Sequence, residues 1–176
     1  MNILFNTATN QVAGYTDYPD EFSALPDFVV CDIPDGWDES LRDAAEWVNG
    51  AIVINPEIQL SRMKSAKIDE LSALRYQHET AGITLNGMTI ETDRQSQSLI
   101  TGAWSISQIN PAILIDWKGA NGWVQIDAAT ITAIAGAVAA HVQSCFSAER
   151  IHAEAILALE TSEEVAAYDL TTGWPG

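Results

Sequence analysis

The Asp-rich loop at residues 32–39 is the first place in this sequence where side-chain types could do chemistry. It reads Asp32-Ile33-Pro34-Asp35-Gly36-Trp37-Asp38-Glu39, and closely spaced carboxylates are typical calcium ligands. An EF-hand loop places oxygen ligands at alternate positions before its glycine and a Glu at its twelfth position, and this loop does neither. We therefore expect a solvated turn with an acidic helix cap, and no metal.

The histidines and cysteines do not form a metal or nucleophile motif either. His78, His141 and His152 share no ligand spacing, and Cys31 and Cys145 lie far apart in apolar stretches without basic neighbours. We expect both cysteines to be small hydrophobic core residues. The sequence has no Gly-x-Ser-x-Gly nucleophile motif and no phosphate-binding Gly-Lys-Ser/Thr. It predicts no catalytic, metal-binding or cofactor-binding residue, and so no enzyme.

Tryptophan is the remaining residue type that could mark a functional surface, because Trp is common at the centres of protein interfaces. For Trp104 and Trp117 a role in core packing is favoured over a role in binding. For Trp123 and Trp174 both roles stay open. Trp117 and Trp123 flank a predicted turn and would face each other across it. The chain has six tryptophans: Trp37, Trp47, Trp104, Trp117, Trp123 and Trp174.

The first part of the chain predicts a small, acidic, β-rich unit at residues 1–58. Residues 1–60 carry eleven acidic groups and one basic group, whereas residues 61–176 carry thirteen and seven. Such a unit is too small to bury much apolar surface alone, so it needs the second unit or another chain. A helix is expected from Leu41 to Val48, ending at Asn49-Gly50, and strands are expected at residues 1–5, 12–15, 28–33 and 51–54.

The second part predicts a connecting helix, residues 59–80, and then an α+β unit, residues 81–176. The helix covers Glu57 to Glu79, which includes no internal Pro or Gly. Asn86-Gly87 predicts a β-hairpin with a type I′ turn, since both residues tolerate positive φ. A second hairpin is expected around residues 113–126, with its turn at 118–122. The fold class is therefore α+β: a small N-terminal β-rich unit, a connecting helix, and two hairpins packed with a long helix.

Three further helices are expected in this second part. Thr92 or Asp93 caps a helix that ends near Trp104, and Asp127 caps a long Ala-rich helix over residues 128–160, in which a break near Ser147 is allowed. A short last helix begins at residues 161–164. The tail at residues 173–176 is not helical.

The long helix repeats apolar residues on one face, and this stripe is a candidate partner contact. At 1.5 Å per residue the helix would span roughly 50 Å, longer than a small domain is wide. We expect Ile131, Val138 and Val142 to contact either a second copy of the chain or the helix at 57–79. The complete set of candidate partner-contact residues is Trp117, Trp123, Trp174, Ile131, Val138 and Val142.

Charge and hydropathy exclude several classes of function. The chain has 24 acidic and 8 basic residues, a net charge of −16, which disfavours both nucleic acid and anionic membrane surfaces. An apolar content of 47% excludes global disorder. No apolar run is expected to reach membrane-spanning length, since the stretch 131–142 is too short, and no signal peptide is predicted at the N-terminus.

Several blocks in residues 60–176 together resemble a domain of unknown function found in phage tail proteins. These blocks are 75–88 (RYQHETAGITLNGM), 92–97 (TDRQSQ), 116–124 (DWKGANGWV) with 127–129 (DAA), and 141–146 (HVQSCF). Residues 1–58 are more weakly similar to the N-terminal part of phage tail fibre assembly proteins, through Ile33-Pro34-Asp35 and the strand at residues 50–54.

The resemblance implies a phage tail-fibre-associated protein that binds the fibre and supports its assembly or attachment. It implies a fibre protein as partner and a homo-oligomer, a trimer in preference to a dimer, in the host cytoplasm during assembly or retained in the virion tail. It supplies no catalytic residues. Two alternatives stay open: a receptor-binding module that contacts a bacterial surface glycan or pilus, and a fibre-assembly chaperone that leaves after assembly.

Overall fold

The computed structural model describes residues 1–22, 24–34, 37–119 and 122–175. The chain divides into two compact units: unit 1 is Met1–Ala66 with Glu160–Ala166, and unit 2 is Lys67–Leu159 with Ala167–Gly176. Unit 1 is rich in β-strands, and unit 2 packs a long helix against short hairpins, so the predicted α+β class is confirmed. The predicted division of the chain assigns consecutive segments, 1–58, 59–80 and 81–176, to three parts, and it stays a prediction.

Unit 1 is built on a three-stranded antiparallel sheet in the order β2-β1-β3. The strands are β1, Asn2–Asn6, β2, Gln11–Thr16, and β3, Phe28–Asp32, with a short helix α1, Pro19–Phe22, between the last two. Because alternate side chains of a strand point to opposite faces, Ile3 and Phe5 share one face, and both are fully buried. They pack with Val12 and Ala45 to form the core of the unit.

The predicted helix from Leu41 to Val48 is wrong. A 3-10 helix covers Glu39–Ala44, and the chain then forms β4, Ala45–Val48, which pairs with β5, Ala51–Ile54. Between these strands Asn49 and Gly50 have φ values of 53° and 87°, as a two-residue hairpin turn requires. Asn and Gly are also common at helix ends, which is why the pair was taken to end a helix here.

A long helix, α2, follows at Pro56–Glu79 and confirms the predicted one. The Asn55 side chain caps it by accepting hydrogen bonds from the backbone N–H groups of Glu57, at 3.0 Å, and Ile58, at 3.2 Å. The boundary between the two units falls inside this helix, after Ala66.

Unit 2 contains the two predicted hairpins. The first joins β6, Ile83–Leu85, to β7, Met88–Ile90, through Asn86 and Gly87, whose φ values of 51° and 79° confirm the expected turn. The second joins β8, Ile115–Gly119, to β9, Gly122–Ile126. Ala120 and Asn121 of its predicted turn lie outside the described residues.

Two capped helices, α3 and α4, complete the core of unit 2. Helix α3, Arg94–Ile109, is capped by Asp93 and continues five residues beyond its predicted end. Helix α4, Ala128–Ala158, is capped by Asp127 and runs unbroken past Ser147. The buried core that they form with the hairpins consists of Ile90, Ile100, Ile126, Ile131, Ile134 and Val138.

The end of the chain contributes to both units. A short helix α5, Ser162–Ala167, begins as predicted: Thr161 Oγ1 accepts a hydrogen bond from the N–H of Glu164, whose carboxylate accepts one from the N–H of Thr161. The segment that follows α5 belongs to unit 2, where Leu170 packs with Leu71 and Ile156 in a second buried cluster.

Candidate functional site

The apolar stripe of α4 is part of the core of unit 2. Ile131 is fully buried and Val138 is 5% exposed, and their buried neighbours come from α3 and the two hairpins. Val142 is half-buried and packs against the same core. Ile131 and Val138 therefore present no surface to a partner, because their own unit already covers them.

The two tryptophans of the second hairpin lie on opposite faces, so the expectation that they face each other is wrong. Gly119 pairs directly with Gly122, which makes the turn shorter than the predicted 118–122. Trp117 therefore lies opposite Val124, and Trp123 lies opposite Lys118. Trp117 is half-buried against the core of unit 2, as predicted, whereas Trp123 is 71% exposed.

The outward face of this hairpin combines an exposed indole with polar groups. The ammonium of Lys118 lies 6.0 Å from the centre of the Trp123 ring, within the range of a cation–π contact. On the same face Gln125 donates a hydrogen bond of 3.0 Å from Nε2 to Asp116. An apolar ring surrounded by hydrogen-bonding side chains is suited to recognise a partner that is part apolar and part polar.

Trp174, another candidate contact residue, holds the C-terminal segment in place within unit 2. Its ring stacks on His78, with 4.8 Å between ring centres, and on His152, with 5.6 Å. Its Nε1 donates a 2.7 Å hydrogen bond to the carbonyl of Leu170. Because the ring is half-buried between two histidines and its N–H is satisfied, this tryptophan has a packing role in the chain.

His152 anchors the same segment through both of its ring nitrogens. Nε2 lies 2.9 Å from the carbonyl oxygen of Thr172, and since a carbonyl only accepts, this nitrogen carries a proton. Nδ1 lies 2.9 Å from the hydroxyl of Tyr168. With both nitrogens used and the side chain 7% exposed, His152 has no free ligand position.

A buried charge network that the sequence pattern does not predict joins α2 to α3. Glu79 is fully buried, and its carboxylate forms ion pairs with Arg75 and with Arg94, the latter at 3.1 Å. Gln97 Nε2 donates a further hydrogen bond of 3.1 Å to it. A buried carboxylate needs such partners, since an unpaired buried charge is very costly.

Arg75 connects this network to α4. Its Nε lies 3.2 Å from a carboxylate oxygen of Glu149, an ion-pair distance at an angle that makes no hydrogen bond, and its guanidinium lies 4.6 Å from the ring centre of Phe146. The spacing of Arg75 and Glu79, four residues apart on a helix, was the one local signal of this network. All of these side chains pair with one another, so the network holds the helices together and offers no free acid or base.

The cysteines lie in surroundings that suppress thiol chemistry. Burial, followed by the charge of Asp32, raises the pKa of the Cys31 thiol above its usual value, and burial, followed by the charge of Glu79, raises that of Cys145. A raised pKa leaves little reactive thiolate near neutral pH. Cys145 is fully buried, as expected, whereas Cys31 is half-buried.

Metal ligation has no support in the part of the chain that the structure describes. No group of three or more His, Cys, Asp or Glu side chains there could hold a metal ion. In the Asp-rich loop, Asp38 accepts a 2.7 Å hydrogen bond from the N–H of Ser40 and caps the 3-10 helix. Asp35 and Gly36 of that loop lie outside the described residues.

Unit 2 has many exposed apolar side chains for its size. Trp104, expected in the core, is 38% exposed on α3. Large exposed apolar side chains on α3, α4 and the loop and hairpin between them are Leu99, Trp104, Ile106, Ile109, Leu114, Trp123, Val124, Phe146, Ile151 and Leu157. Only contiguous apolar patches mark interaction surfaces, and single exposed apolar side chains are normal on a protein surface.

Helix α4 meets the length and composition criteria for crossing a membrane, so the prediction that no stretch of the chain is long enough is wrong. In its most apolar window of 18 residues, 22% of the residues are buried. A single helix that meets these criteria is weak evidence for a membrane, because the core helices of many globular proteins meet them too.

Comparison with known proteins gives one match. A family model described as "Domain of unknown function (DUF4376)" matches residues 62–172, more than half of the chain. No curated protein and no solved structure matches the chain.

Proposed function

The chain belongs to the DUF4376 family, and we propose that it is a phage tail-fibre-associated protein that binds the fibre and supports its assembly or attachment. The structural observation that carries this proposal is the 71% exposure of Trp123 on the outward face of the β8–β9 hairpin. The block at residues 116–124, one of those that resemble phage tail proteins, lies within this hairpin. The fibre protein is the partner that this resemblance implies.

Trp123 is suited to be the central residue of a fibre contact. A tryptophan buries about 150–250 Å² when a partner covers it, more than most other side chains. Lys118, Asp116 and Gln125 on the same face supply the polar rim that protein interfaces commonly have. We therefore place the fibre contact on this face of the hairpin.

A pull-down on the tail fibre protein encoded by the same phage tests this proposal. Trp123→Ala should weaken capture of the fibre protein by about thirtyfold, as expected for the loss of a central interface residue. The matched control is Tyr18→Ala, which removes an aromatic side chain of similar exposure, 69%, from unit 1. Equal capture by wild type and Trp123→Ala, or no capture by the wild type, would contradict the proposal.

A receptor-binding module is the second candidate, and the same face provides its supporting observation. An exposed indole can stack on the apolar face of a sugar ring, while Asp116 and Gln125 can hydrogen-bond to hydroxyl groups. Binding of the isolated protein to host cells or to their surface glycans, lost in Trp123→Ala and unchanged in Tyr18→Ala, would favour this function over fibre binding.

A dissociating chaperone remains the third candidate, and it differs from the first in where the protein is found. Mass spectrometry of purified virions should detect the chain in the tail if it stays on the fibre. Capture of the fibre protein from infected cytoplasm, combined with absence from the virion, would instead indicate a chaperone that leaves after assembly.

A further inference from the structure

The three-stranded sheet of unit 1 has two edges, and its β2 edge is protected against pairing with another chain. The register between β1 and β2 shifts between Leu4 and Phe5, which leaves Ala13 as an extra residue in β2. The guanidinium of Arg42 also donates hydrogen bonds to the carbonyl oxygens of Val12, at 3.2 Å, and Ala13, at 3.1 Å. An irregular strand and a covering side chain both keep an edge from accepting a further strand.

The opposite edge, β3, is regular and unpaired. All of its five residues pair with β1 without a shift, and Thr7 N–H extends this ladder with a 2.9 Å hydrogen bond to the carbonyl of Asp27. Because bonded and non-bonded pairs alternate in an antiparallel ladder, Val30 and Asp32 direct their backbone N–H and C=O groups away from β1. Within the described part of the chain, no hydrogen bond occupies those groups.

The side chains of β3 do not protect this edge either. The strand reads Phe-Val-Val-Cys-Asp, so it has no Lys and no Pro, and its one charge is at its last residue, Asp32. Edge strands in other proteins commonly carry Lys, Pro or an inward-pointing charge, which prevents pairing. A regular, apolar edge without them is the structure to which an extended segment of another chain adds as a further strand.

Charge complementarity identifies what kind of segment fits this edge. Asp27 and Asp32 are exposed at the two ends of β3, and residues 17–34 contain five acidic residues and no basic one. The three basic residues of unit 1 lie in the 3-10 helix and in α2: Arg42, Arg62 and Lys64. A segment that carries Lys or Arg is attracted to this edge, whereas a second copy would bring two acidic edges together and be repelled.

We propose that β3 is a docking edge, which binds an extended, basic segment of a partner protein as the fourth strand of the unit 1 sheet. The backbone of that segment bonds to Val30 and Asp32, and its Lys or Arg side chains lie beside Asp27 and Asp32. The docking edge is in unit 1 and Trp123 is in unit 2, so this proposal does not depend on the proposed fibre contact.

Hydrogen exchange of the full chain, followed residue by residue by NMR, tests the proposal with a synthetic peptide. In the free chain Val30 N–H should exchange faster than the N–H groups of Val29 and Cys31, which bond to β1. The probe is acetylated and amidated Lys-Thr-Val-Thr-Val-Thr-Lys, whose sequence is the same in both strand directions. At saturation it should slow exchange at Val30 and Asp32 by about threefold or more and shift the amide signals of β3.

A modified peptide is the control for backbone pairing. The same sequence, N-methylated at its three central residues, retains every side chain and both charges but cannot donate backbone hydrogen bonds there. Its dissociation constant should be at least about tenfold higher, because strand addition depends on main-chain hydrogen bonds. Binding of the unmodified peptide should also weaken as NaCl is raised, since salt screens the attraction between the lysines and the aspartates.

A charge exchange tests the choice of a basic segment. Asp32→Lys should weaken binding of the lysine peptide by about fivefold, as expected for a reversed surface charge, and should strengthen binding of a peptide in which Asp replaces both lysines. Asp32 is exposed at the end of its strand, so the variant should fold, which circular dichroism checks. Asp69→Lys is the matched control, because it makes the same change in net charge at an exposed position of α2 in unit 2.

Four results would overturn the proposal. The first is the absence of any change in the β3 amide signals at millimolar lysine peptide, and the second is equal binding of the N-methylated peptide. The third is an equal effect of Asp32→Lys and Asp69→Lys on binding. The fourth is exchange at Val30 that slows with protein concentration in the absence of peptide, which would assign the docking edge to a second copy of the chain.

Discussion

Single residues determine the turns of this protein, and two of its hairpins share one two-residue signal. Asn86-Gly87 and Asn49-Gly50 both adopt the positive φ values that a type I′ turn needs. Short apolar runs on both sides predict a hairpin at the first pair. The second pair was wrongly assigned to a helix end because Asp38-Glu39-Ser40 predicts a helix cap before it. An Asn-Gly pair favours positive φ at both positions. The residues on either side of the pair determine whether it forms a hairpin turn or ends a helix.

Gly87→Val should destabilise unit 2 by about 1–3 kcal/mol, because valine at a φ of 79° is strained. Nothing lies within 4 Å of a Cβ at this position, so the cost is one of conformation and not of steric contact. Urea denaturation measures the change. Gly119→Val is the control, since Gly119 lies in β8 and its φ is not positive. Equal losses of unfolding free energy in the two variants would contradict the assignment of Gly87 to a turn that needs positive φ.

The aspartates that cap α3 and α4 should make unit 2 sensitive to acid. Hydrogen bonds from the Ser96 hydroxyl and N–H lower the pKa of Asp93, and hydrogen bonds from Thr130 lower that of Asp127. Because the folded pKa lies below that of the unfolded chain, the stabilisation is complete above the usual pKa of Asp, about 3.9, and is lost as the pH falls through the lowered value.

Thermal unfolding between pH 7 and about pH 2 measures this effect. Asp93→Asn retains a capping side chain but does not titrate, so its melting temperature should fall less steeply in acid than that of the wild type. Asp69→Asn removes an exposed carboxylate from α2 that caps no helix, and its profile should follow the wild type. If the melting temperatures of all three proteins depended on pH in the same way, the Asp93 cap would have no role in the acid sensitivity of unit 2.

At the scale of elements, α4 is the helix on which unit 2 is assembled. Val138→Asp should unfold unit 2, because it places an unpaired charge at a position that is 5% exposed, a change that costs about 4 kcal/mol or more. Near-ultraviolet circular dichroism and hydrogen exchange measure the loss. Ala140→Asp, at an exposed position two residues away, is the control and should stay folded. A folded, helical Val138→Asp would mean that the stripe packs between chains.

Two Arg–Glu pairs with the same four-residue spacing allow a matched test of burial. Glu79→Ala should cost about 3–5 kcal/mol, because it leaves Arg75 and Arg94 without their buried partner. Glu154→Ala breaks the pair with Arg150, in which both side chains are more than 60% exposed, and should cost at most about 1 kcal/mol. Similar losses of unfolding free energy in the two variants would show that the network around Glu79 does not support the fold.

The elements predicted well are those whose signals are local. Helix α2, the Asn86-Gly87 hairpin and the cap of α4 depend on residues within a few positions of one another. The burial of Glu79 could not be predicted, because it depends on Arg94, fifteen residues away in the chain. The faces of Trp117 and Trp123 were misjudged because a shift of one residue in strand register exchanges the two faces of a hairpin.

For the whole molecule, charge is divided unequally between the two units. Unit 1 carries fourteen acidic and three basic residues, and unit 2, although larger, carries ten and five. Like charges within one compact unit repel each other and oppose folding. We therefore expect the stability of unit 1 to depend more on the ionic strength than that of unit 2.

Raising NaCl at pH 7 from about 20 mM to about 300 mM, which reduces the Debye length from about 20 Å to below 8 Å, should slow hydrogen exchange in unit 1 more than in unit 2. Hydrogen exchange followed by mass spectrometry resolves peptides of each unit in one sample, so unit 2 is an internal control. Equal slowing in both units would mean that the charge within unit 1 does not set its stability.

The contribution of the end of the chain to both units has a consequence for how the protein is made. Val165 in unit 1 and Leu170 in unit 2 are each at least 96% buried, so each unit lacks a core residue until this segment has been synthesised. Ribosomes add residues at about 5–20 per second, and domains that are continuous in sequence can fold during that time. Here neither unit completes its core before residues 160–175 have left the ribosome, so folding finishes after translation of this region. Chains that terminate before this segment would lack buried residues of both units, and they should be degraded faster than chains that contain it.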